Sequence, residues 1–287
     1  MPFRLGCAIW AYKGWIGDFY PTGSPASQLL RLYGDRFSTV ECNATFYSVP
    51  SPETVAKWAD TVPDGFKFCP KFPRAVTHQG ALLPRLADAL AFLELMQGLG
   101  EHLGPLFIQL PPSYGPRSLP DLSEFLRGLP TKTVQIALEV RHPDWFVSPS
   151  HGTLTHLLKS LRVGQGLLDS RPMYETSGDP QRNSPRRKPK VPLLPQLTAP
   201  FTLVRFISHP VLAENERFMD TWIAPIRQWM DNSREVYVFM HCPVEENSPR
   251  HAKHLHTKLM QAQIPLPMLP WDTLEQQPAQ LDLFSSL

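Results

Sequence analysis

No stretch of this chain reaches the roughly eighteen consecutive apolar residues that a membrane-spanning helix needs. The start, Met1-Pro2-Phe3-Arg4-Leu5-Gly6, has no long apolar run after a basic residue. This predicts no signal peptide, no membrane contact and a cytoplasmic location. Cysteine is scarce: Cys7, Cys42, Cys69 and Cys242 are the four present, widely spaced and never as CxxC. A disulfide framework or a zinc site is thereby disfavoured, and four reduced core thiols are expected. Charge of one sign is lacking too. The net charge is +2, so the field of the whole molecule favours no particular partner. Neither a GxGxxG fingerprint nor a P-loop occurs, and the histidines at 251, 254 and 256 do not have HExxH spacing.

What the chain has is a globular composition, 42% hydrophobic and 19% charged, with 32 prolines. Many of these follow apolar runs directly (Pro70, Pro111, Pro143, Pro210, Pro243), where a chain leaving a sheet can use a fixed φ. Strand-like runs fall at 5–10, 39–43, 66–70, 106–110, 134–140, 164–169, 202–207 and 236–240. Between them lie helix-like stretches at 25–35, 52–60, 85–98, 121–127, 151–160, 214–230 and 249–262. Ser24 and Ser51 stand in capping positions before the first two, and Pro52 occupies a first helical position. Strand starts recur every roughly thirty to forty residues, as a strand–loop–helix–loop unit requires. Eight such units predict one α/β domain over 1–287, a single (β/α)8 TIM barrel.

One connection differs. Residues 170–200 have no apolar period and contain Ser177-Gly178-Asp179-Pro180 and Ser184-Pro185-Arg186-Arg187-Lys188-Pro189-Lys190. A long basic, proline-rich loop is expected after strand six, on the face where barrel sites form.

Alternate strand residues point inward in a barrel, and those near the C-terminal ends line its mouth. This parity gathers Glu41 and Asn43 from strand two and Lys71 from strand three. It adds Gln109 from strand four, Glu139 and Arg141 from strand five, Asp169 from strand six, Arg205 from strand seven and His241 from strand eight. Charges inside apolar strands are costly unless paired or used. The carboxylates either neutralise Lys71, Arg141 and Arg205 in a structural network or form a site with them. As a site, Glu41, Glu139, Asp169 and His241 are the candidates for proton transfer. Asn43, Lys71, Gln109, Arg141 and Arg205 are the candidates for substrate binding, and the neighbouring aromatics Trp10, Tyr12, Trp15 and Tyr47 for a wall suited to sugars or bases. His142, of opposite parity, is expected to pack behind the rim, and His78 to be a surface or helix residue. Glu41, Glu139, Asp169 and His241 are also metal-ligand types, but three cations beside them would repel a metal ion. The preferred reading is a pocket without metal or cofactor for a small anionic ligand or phosphate.

Gly6-Cys7-Ala8-Ile9-Trp10 with Tyr20-Pro21, followed by Val40-Glu41-Cys42-Asn43-Ala44-Thr45-Phe46-Tyr47, resembles the opening of the YecE-like family. Phe66-Lys67-Phe68-Cys69-Pro70-Lys71-Phe72-Pro73 with Thr77-His78, Gln109-Leu110-Pro111-Pro112 and Glu139-Val140-Arg141-His142-Pro143 continue the match. So do Asp169-Ser170-Arg171-Pro172 and Val204-Arg205-Phe206. Strand eight departs from the family pattern, with Met240-His241-Cys242-Pro243 in place of aromatic and asparagine residues. The resemblance implies a TIM barrel of unknown function, and a likeness to metal-dependent barrel endonucleases has been suggested for the family. This chain lacks the strand-end histidines that such a trinuclear site requires.

Three functions remain open. The first is acid–base chemistry on a small anionic or sugar-like, phosphorylated substrate. The second is action on nucleic acid, with Arg186, Arg187 and Lys188 on phosphates. The third is metabolite binding without turnover.

Overall fold

The computed structural model describes residues 3–182 and 187–274. Its eight strands are β1 (Phe3–Cys7), β2 (Thr39–Cys42), β3 (Lys67–Pro70), β4 (Leu106–Gln109), β5 (Ile136–Glu139), β6 (Gly164–Asp169), β7 (Phe201–Ile207) and β8 (Glu235–His241). All pairs are parallel. A curled six-stranded sheet runs in the order β1-β8-β7-β6-β5-β4, and β2 and β3 form a two-stranded sheet.

The helices are α1 (Leu29–Gly34), α2 (Ala44–Tyr47), α3 (Pro52–Thr61), α4 (Arg74–Thr77), α5 (Leu86–Gln97), α6 (Leu119–Gly128), α7 (Ser150–Leu161), α8 (Glu216–Asp231) and α9 (Ser248–Gln261). Ser51 caps α3 as its sequence predicts: its Oγ accepts from the Thr54 amide at 3.3 Å, with Pro52 at the first position. Ser24 does not cap. Its hydroxyl donates to the Pro21 carbonyl, and a 3-10 turn (Ala26–Gln28) delays the start of α1 to Leu29. Between β6 and β7 the described residues hold only the 3-10 turn Arg171–Met173.

Hydrogen bonds join the two sheets along both edges. On one side the Gly104 amide donates to the Phe68 carbonyl at 2.7 Å and the Phe72 amide to the Phe107 carbonyl at 2.9 Å. On the other, the Ser38 amide donates to the Leu5 carbonyl at 3.3 Å. There a buried hydroxyl completes the contact: the Cys7 amide donates to Tyr33 Oη at 2.6 Å, and Tyr33 donates on to the Thr39 carbonyl at 3.0 Å. Gly6 makes this approach possible, because a Cβ there would lie 1.8 Å from the Thr39 oxygen.

The strands are buried on both faces, as parallel strands covered by helices are. Their outward side chains join the helices in the main core, which includes Leu5, Val40, Val204, Val238 and Met240. A separate inner cluster holds Cys69, Phe107, Ala137, Phe201, Leu203, Tyr237 and Phe239. The four cysteines are free and buried. The inner cluster draws on β3, β4, β5, β7 and β8 and forms an apolar base for the polar groups at their C-terminal ends.

Candidate functional site

Above Phe107, whose ring centroid lies 5.3 Å from the Arg205 guanidinium carbon, the strand ends carry a continuous polar network. Arg205 of β7 donates from Nε and Nη2 to the two oxygens of Glu41 on β2, at 2.7 and 3.1 Å. Its Nη1 donates to Glu139 Oε2 on β5 at 2.9 Å. Arg141 Nε takes the other Glu139 oxygen at 2.6 Å, and Arg141 Nη2 donates to Gln109 Oε1 at 2.6 Å. Lys71 Nζ donates to the same Gln109 oxygen at 2.9 Å and to Asn43 Oδ1 at 3.3 Å. His241 Nε2 lies 3.1 Å from Glu41 Oε2, and since a carboxylate only accepts, the imidazole donates. Arg205 is 2% exposed and Glu41 and Glu139 are fully buried, so this pairing compensates charges that would otherwise be desolvated at high cost.

Burial alone would raise the Glu41 carboxyl, but Arg205 and then His241 hold it well below the usual carboxylate range. Burial opposes ionisation of Glu139 as well, and Arg141 and Arg205 bring it down to about 2. Both carboxylates are therefore ionised and paired at neutral pH. Burial lowers His241 to about 4 despite the attraction of Glu41, so its ring is neutral. Lys71 behaves differently. Burial, and then repulsion from Arg205, lower its amine to about 7. Among the described residues no carboxylate lies within ion-pair distance of it.

A cavity of about 930 Å³ opens over this network. Asn43, Lys71, Gln109, Arg141 and Arg205 contribute from the strand ends, Ile9 from the loop after β1, and Phe46 and Tyr47 from α2. Arg74, the first residue of α4, and His78, just past its end, also line it. Arg187, Lys188, Pro189 and Lys190 close it from the β6–β7 connection. That segment is fixed by its own side chains. The Lys188 amide donates to Gln181 Oε1 at 2.7 Å and the Ser170 hydroxyl to the Pro189 carbonyl at 2.8 Å. Tyr174 donates to the Lys188 carbonyl, Arg187 pairs with Asp179, and Lys190 sits 5.7 Å from the Tyr174 ring centre. Burial, then repulsion from Arg205 and Arg141, lower Lys188 to about 8.

Three expectations about site residues are corrected. Asp169 is not part of the network. Gly166 packs inward beside Phe107 and Glu139, which turns Asp169, three residues on, to the opposite face of β6. There it binds Arg171 through both oxygens (2.8 and 2.7 Å) and accepts from Trp222 Nε1 of α8 at 2.8 Å. Trp10 is not a cavity wall. β1 ends at Cys7, so strand parity does not extend to Trp10, and its ring packs edge-on against Trp58 and Phe68. Tyr12 and Trp15 are likewise turned away, Tyr12 toward Glu246 and Trp15 into the core. Only Tyr47 of that aromatic set lines the cavity, and it is 67% exposed. His78 lines the cavity as well and is not a mere surface residue. His142 caps the turn Pro143–Phe146, accepting from the Asp144 amide at 3.1 Å, and stands outside the cavity. Arg186 falls outside the described residues.

Arg74 and Lys190 escaped strand-based reasoning because the short helix α4 and the β6–β7 connection carry them. The only sequence signal was the basic run that includes Lys190. Among the described residues no three His, Cys, Asp or Glu side chains are grouped so as to hold a metal ion. None of the described helices is long and apolar enough to cross a membrane.

The fold and site define an α/β protein with a curled parallel sheet and an ion-paired cluster at the strand ends. Residues 4–274 match the family described as "Protein of unknown function DUF72", and the chain belongs to that family. It is 35% identical over 250 residues to the UPF0759 protein YecE of Escherichia coli O157:H7, covering 85% of this chain and 88% of that one. The YecE protein of Escherichia coli strain K12 is 34% identical over the same span. Two solved DUF72 family proteins share the fold. EF0366 of Enterococcus faecalis V583 superposes with a TM-score of 0.67 at 20% identity, covering 90% of this chain and 97% of that one. TM1631 of Thermotoga maritima MSB8 gives 0.66 at 18% identity, covering 92% and 99%.

Proposed function

We propose that this protein is an enzyme that processes a small anionic substrate, phosphorylated or carboxylated and sugar-like in size, by acid–base chemistry at the strand ends of one closed eight-stranded barrel. The bonds along both edges of the two-stranded sheet support closure, through Gly104 and Phe72 on one side and Ser38 and Tyr33 on the other.

The observation that carries the functional reading is the charge of the cavity wall. Lys71, Arg74, Arg141, Arg187, Lys188, Lys190 and Arg205 line it, and no carboxylate does among the described residues. Glu41 and Glu139 lie beneath and balance Arg205 and Arg141. The remaining cations have no matching negative charge on the wall, except that Arg187 pairs with Asp179 behind it. A preformed, partly desolvated cluster of this kind favours an anion. The volume suits a metabolite.

The acid–base role moves from the carboxylates to Lys71. Glu41 and Glu139 are held ionised by guanidinium partners and are poor proton donors and weak bases at neutral pH. Lys71, near 7, can both give and take a proton there. Asn43 and Gln109 position its amine, and Arg141 faces the substrate's anionic group.

Calorimetric titration of the protein with inorganic phosphate and glucose 6-phosphate at low ionic strength tests this reading. Binding that weakens about tenfold in Lys188→Gln, the loss of one charge-assisted contact, is expected. No heat with either anion would overturn it. The basic connection also favours a second reading, contact with nucleic acid through Arg187 and Lys188. Oligonucleotide binding with a steep salt dependence would select that alternative.

A further inference from the structure

We propose that Lys71 is a nucleophilic amine that condenses with the carbonyl group of its substrate, so that the cavity takes an anionic aldehyde or ketone such as an oxo-acid or a phosphorylated sugar in its open form. This deepens the anion-site reading and rests on it.

The argument begins with the backbone of Lys71. Its amide donates to Thr45 Oγ1 at 3.0 Å, and its carbonyl accepts from the same hydroxyl at 2.7 Å. A parallel bridge to Phe107 fixes the other side. The chain is thus clamped between α2 and β4 just where it leaves β3. The amine then meets two amide oxygens, and both orientations are determined. Asn43 turns its Nδ2 to the Ala8 carbonyl at 3.3 Å, which leaves Oδ1 for Lys71. Gln109 Oε1 receives donors from Lys71 and Arg141 together, which only an oxygen can accept.

Two amide oxygens suit a neutral amine. They occupy its two N–H groups and leave the lone pair free, and Lys71 lines the cavity. A lysine serving as a structural cation is normally given a carboxylate, and the two carboxylates in this cluster are already taken by Arg205 and Arg141. The charged groups facing Lys71 are Arg205 and Arg141, which favour the neutral amine, and Glu41 and Glu139, which oppose it. The face of Phe46, 4.2 Å from Nζ, also favours the cation. Desolvation and the guanidiniums outweigh these, and the amine titrates near neutrality. Lysine nucleophiles are activated by desolvation or by an adjacent cation.

The competing nucleophiles are unsuited. Cys7, Cys42 and Cys69 are buried, and burial raises their thiols. Cys242 is pushed up to about 11 by burial. None of the four lines the cavity.

The step is balanced. The neutral nitrogen adds to the carbonyl carbon, forming a C–N bond, and one of its protons passes to the carbonyl oxygen. Loss of the second N–H proton and the C–O bond expels that oxygen as water and leaves a C=N bond. Nothing is oxidised or reduced. Arg141 and Lys188 hold the substrate's phosphate or carboxylate while this occurs.

The test uses the full chain and pyridoxal 5′-phosphate, an aldehyde carrying a phosphate, as the probe. Borohydride traps any imine as a stable amine, and peptide mass mapping locates it. An ordinary lysine is neutral only about one part in a thousand near pH 7.4. Lys71 is therefore expected to label at least about tenfold faster than an ordinary lysine, and faster than Lys188, whose amine is lowered to about 8, with a rate that rises around pH 7 and not around pH 10. Inorganic phosphate should slow labelling. Wild-type protein alone decides the matter, so a folding defect in Lys71→Gln does not obscure it. Label confined to other lysines overturns the proposal. If phosphate still binds by calorimetry, the anion site survives and only the nucleophile fails. If neither binding nor labelling of Lys71 occurs, both readings fall.

Discussion

Arg205 grips both oxygens of Glu41, at 2.7 and 3.1 Å, and so ties the six-stranded sheet to the two-stranded one through the interior. The same guanidinium reaches Glu139 on β5, which makes Arg205 the hub of the cluster. Replacing it leaves two buried carboxylates without their main partner. Arg205→Met is expected to cost about 3–5 kcal/mol, the range for breaking a buried pair from one side. Urea unfolding followed by circular dichroism measures this, and a loss below about 1 kcal/mol, the range of exposed pairs, would contradict it.

The amine of Lys71 gives stability a pH dependence of definite sign. Its folded value is about 7, against about 10.4 for an unfolded lysine. Between these values the unfolded chain binds more protons, so stability rises as pH increases from about 7 to about 10. Lys188, lowered to about 8, adds to the slope in the upper part of that window. The denaturant midpoint of the wild type should rise relative to that of Lys71→Met across this range, the buried thiols, which act in the opposite sense, being common to both. An unchanged slope in the variant would show that Lys71 is charged at neutral pH.

His241 acts at the acid side. Its folded value of about 4 lies below about 6.5, the unfolded one, so its contribution is fully present above about pH 6.5 and is lost as pH falls toward 4. Glu139, also depressed, loses its contribution from about 4.3 down to about 2. His241→Gln should flatten the decline between about pH 6.5 and 4 in the same denaturation series.

Asp169 belongs to packing. It holds Arg171 and the Trp222 indole on the outer face of β6. Asp169→Ala is expected to lower stability by about 1–3 kcal/mol, the cost of stranding buried partners, and to leave phosphate affinity unchanged. A variant of wild-type stability with impaired phosphate binding would return Asp169 to the site.

Tyr33 carries the contact between β1 and β2 through its hydroxyl. Tyr33→Phe removes an acceptor from the Cys7 amide and a donor from the Thr39 carbonyl, both buried. A loss of about 1–3 kcal/mol is expected, with faster hydrogen exchange at the Cys7 amide as its local signature.

Much of this was legible in the chain. Eight strand-like runs correspond to eight strands, because parallel strands covered on both faces must be apolar throughout and stand out from amphipathic helices. Inward parity correctly grouped Glu41, Lys71, Gln109, Glu139, Arg205 and His241, since the period of two is fixed by the pleat. The same rule failed for Asp169, where Gly166 sets the inner face of β6, and proximity to the strand ends did not carry Trp10 into the cavity wall, because its ring packs against Trp58 and Phe68.

The sequence by itself determined the alternating units, the absence of long apolar spans and which charged residues stand near the strand ends, all local consequences of residue type and spacing. Tertiary structure alone decided which charges meet. It spent both carboxylates on Arg205 and Arg141 and left Lys71 with amide oxygens. It also folded Lys188 and Lys190 over the cavity beside Arg74 and His78. Pairing and desolvation depend on residues far apart in the chain, 164 positions for Glu41 and Arg205, and no local pattern records such distances.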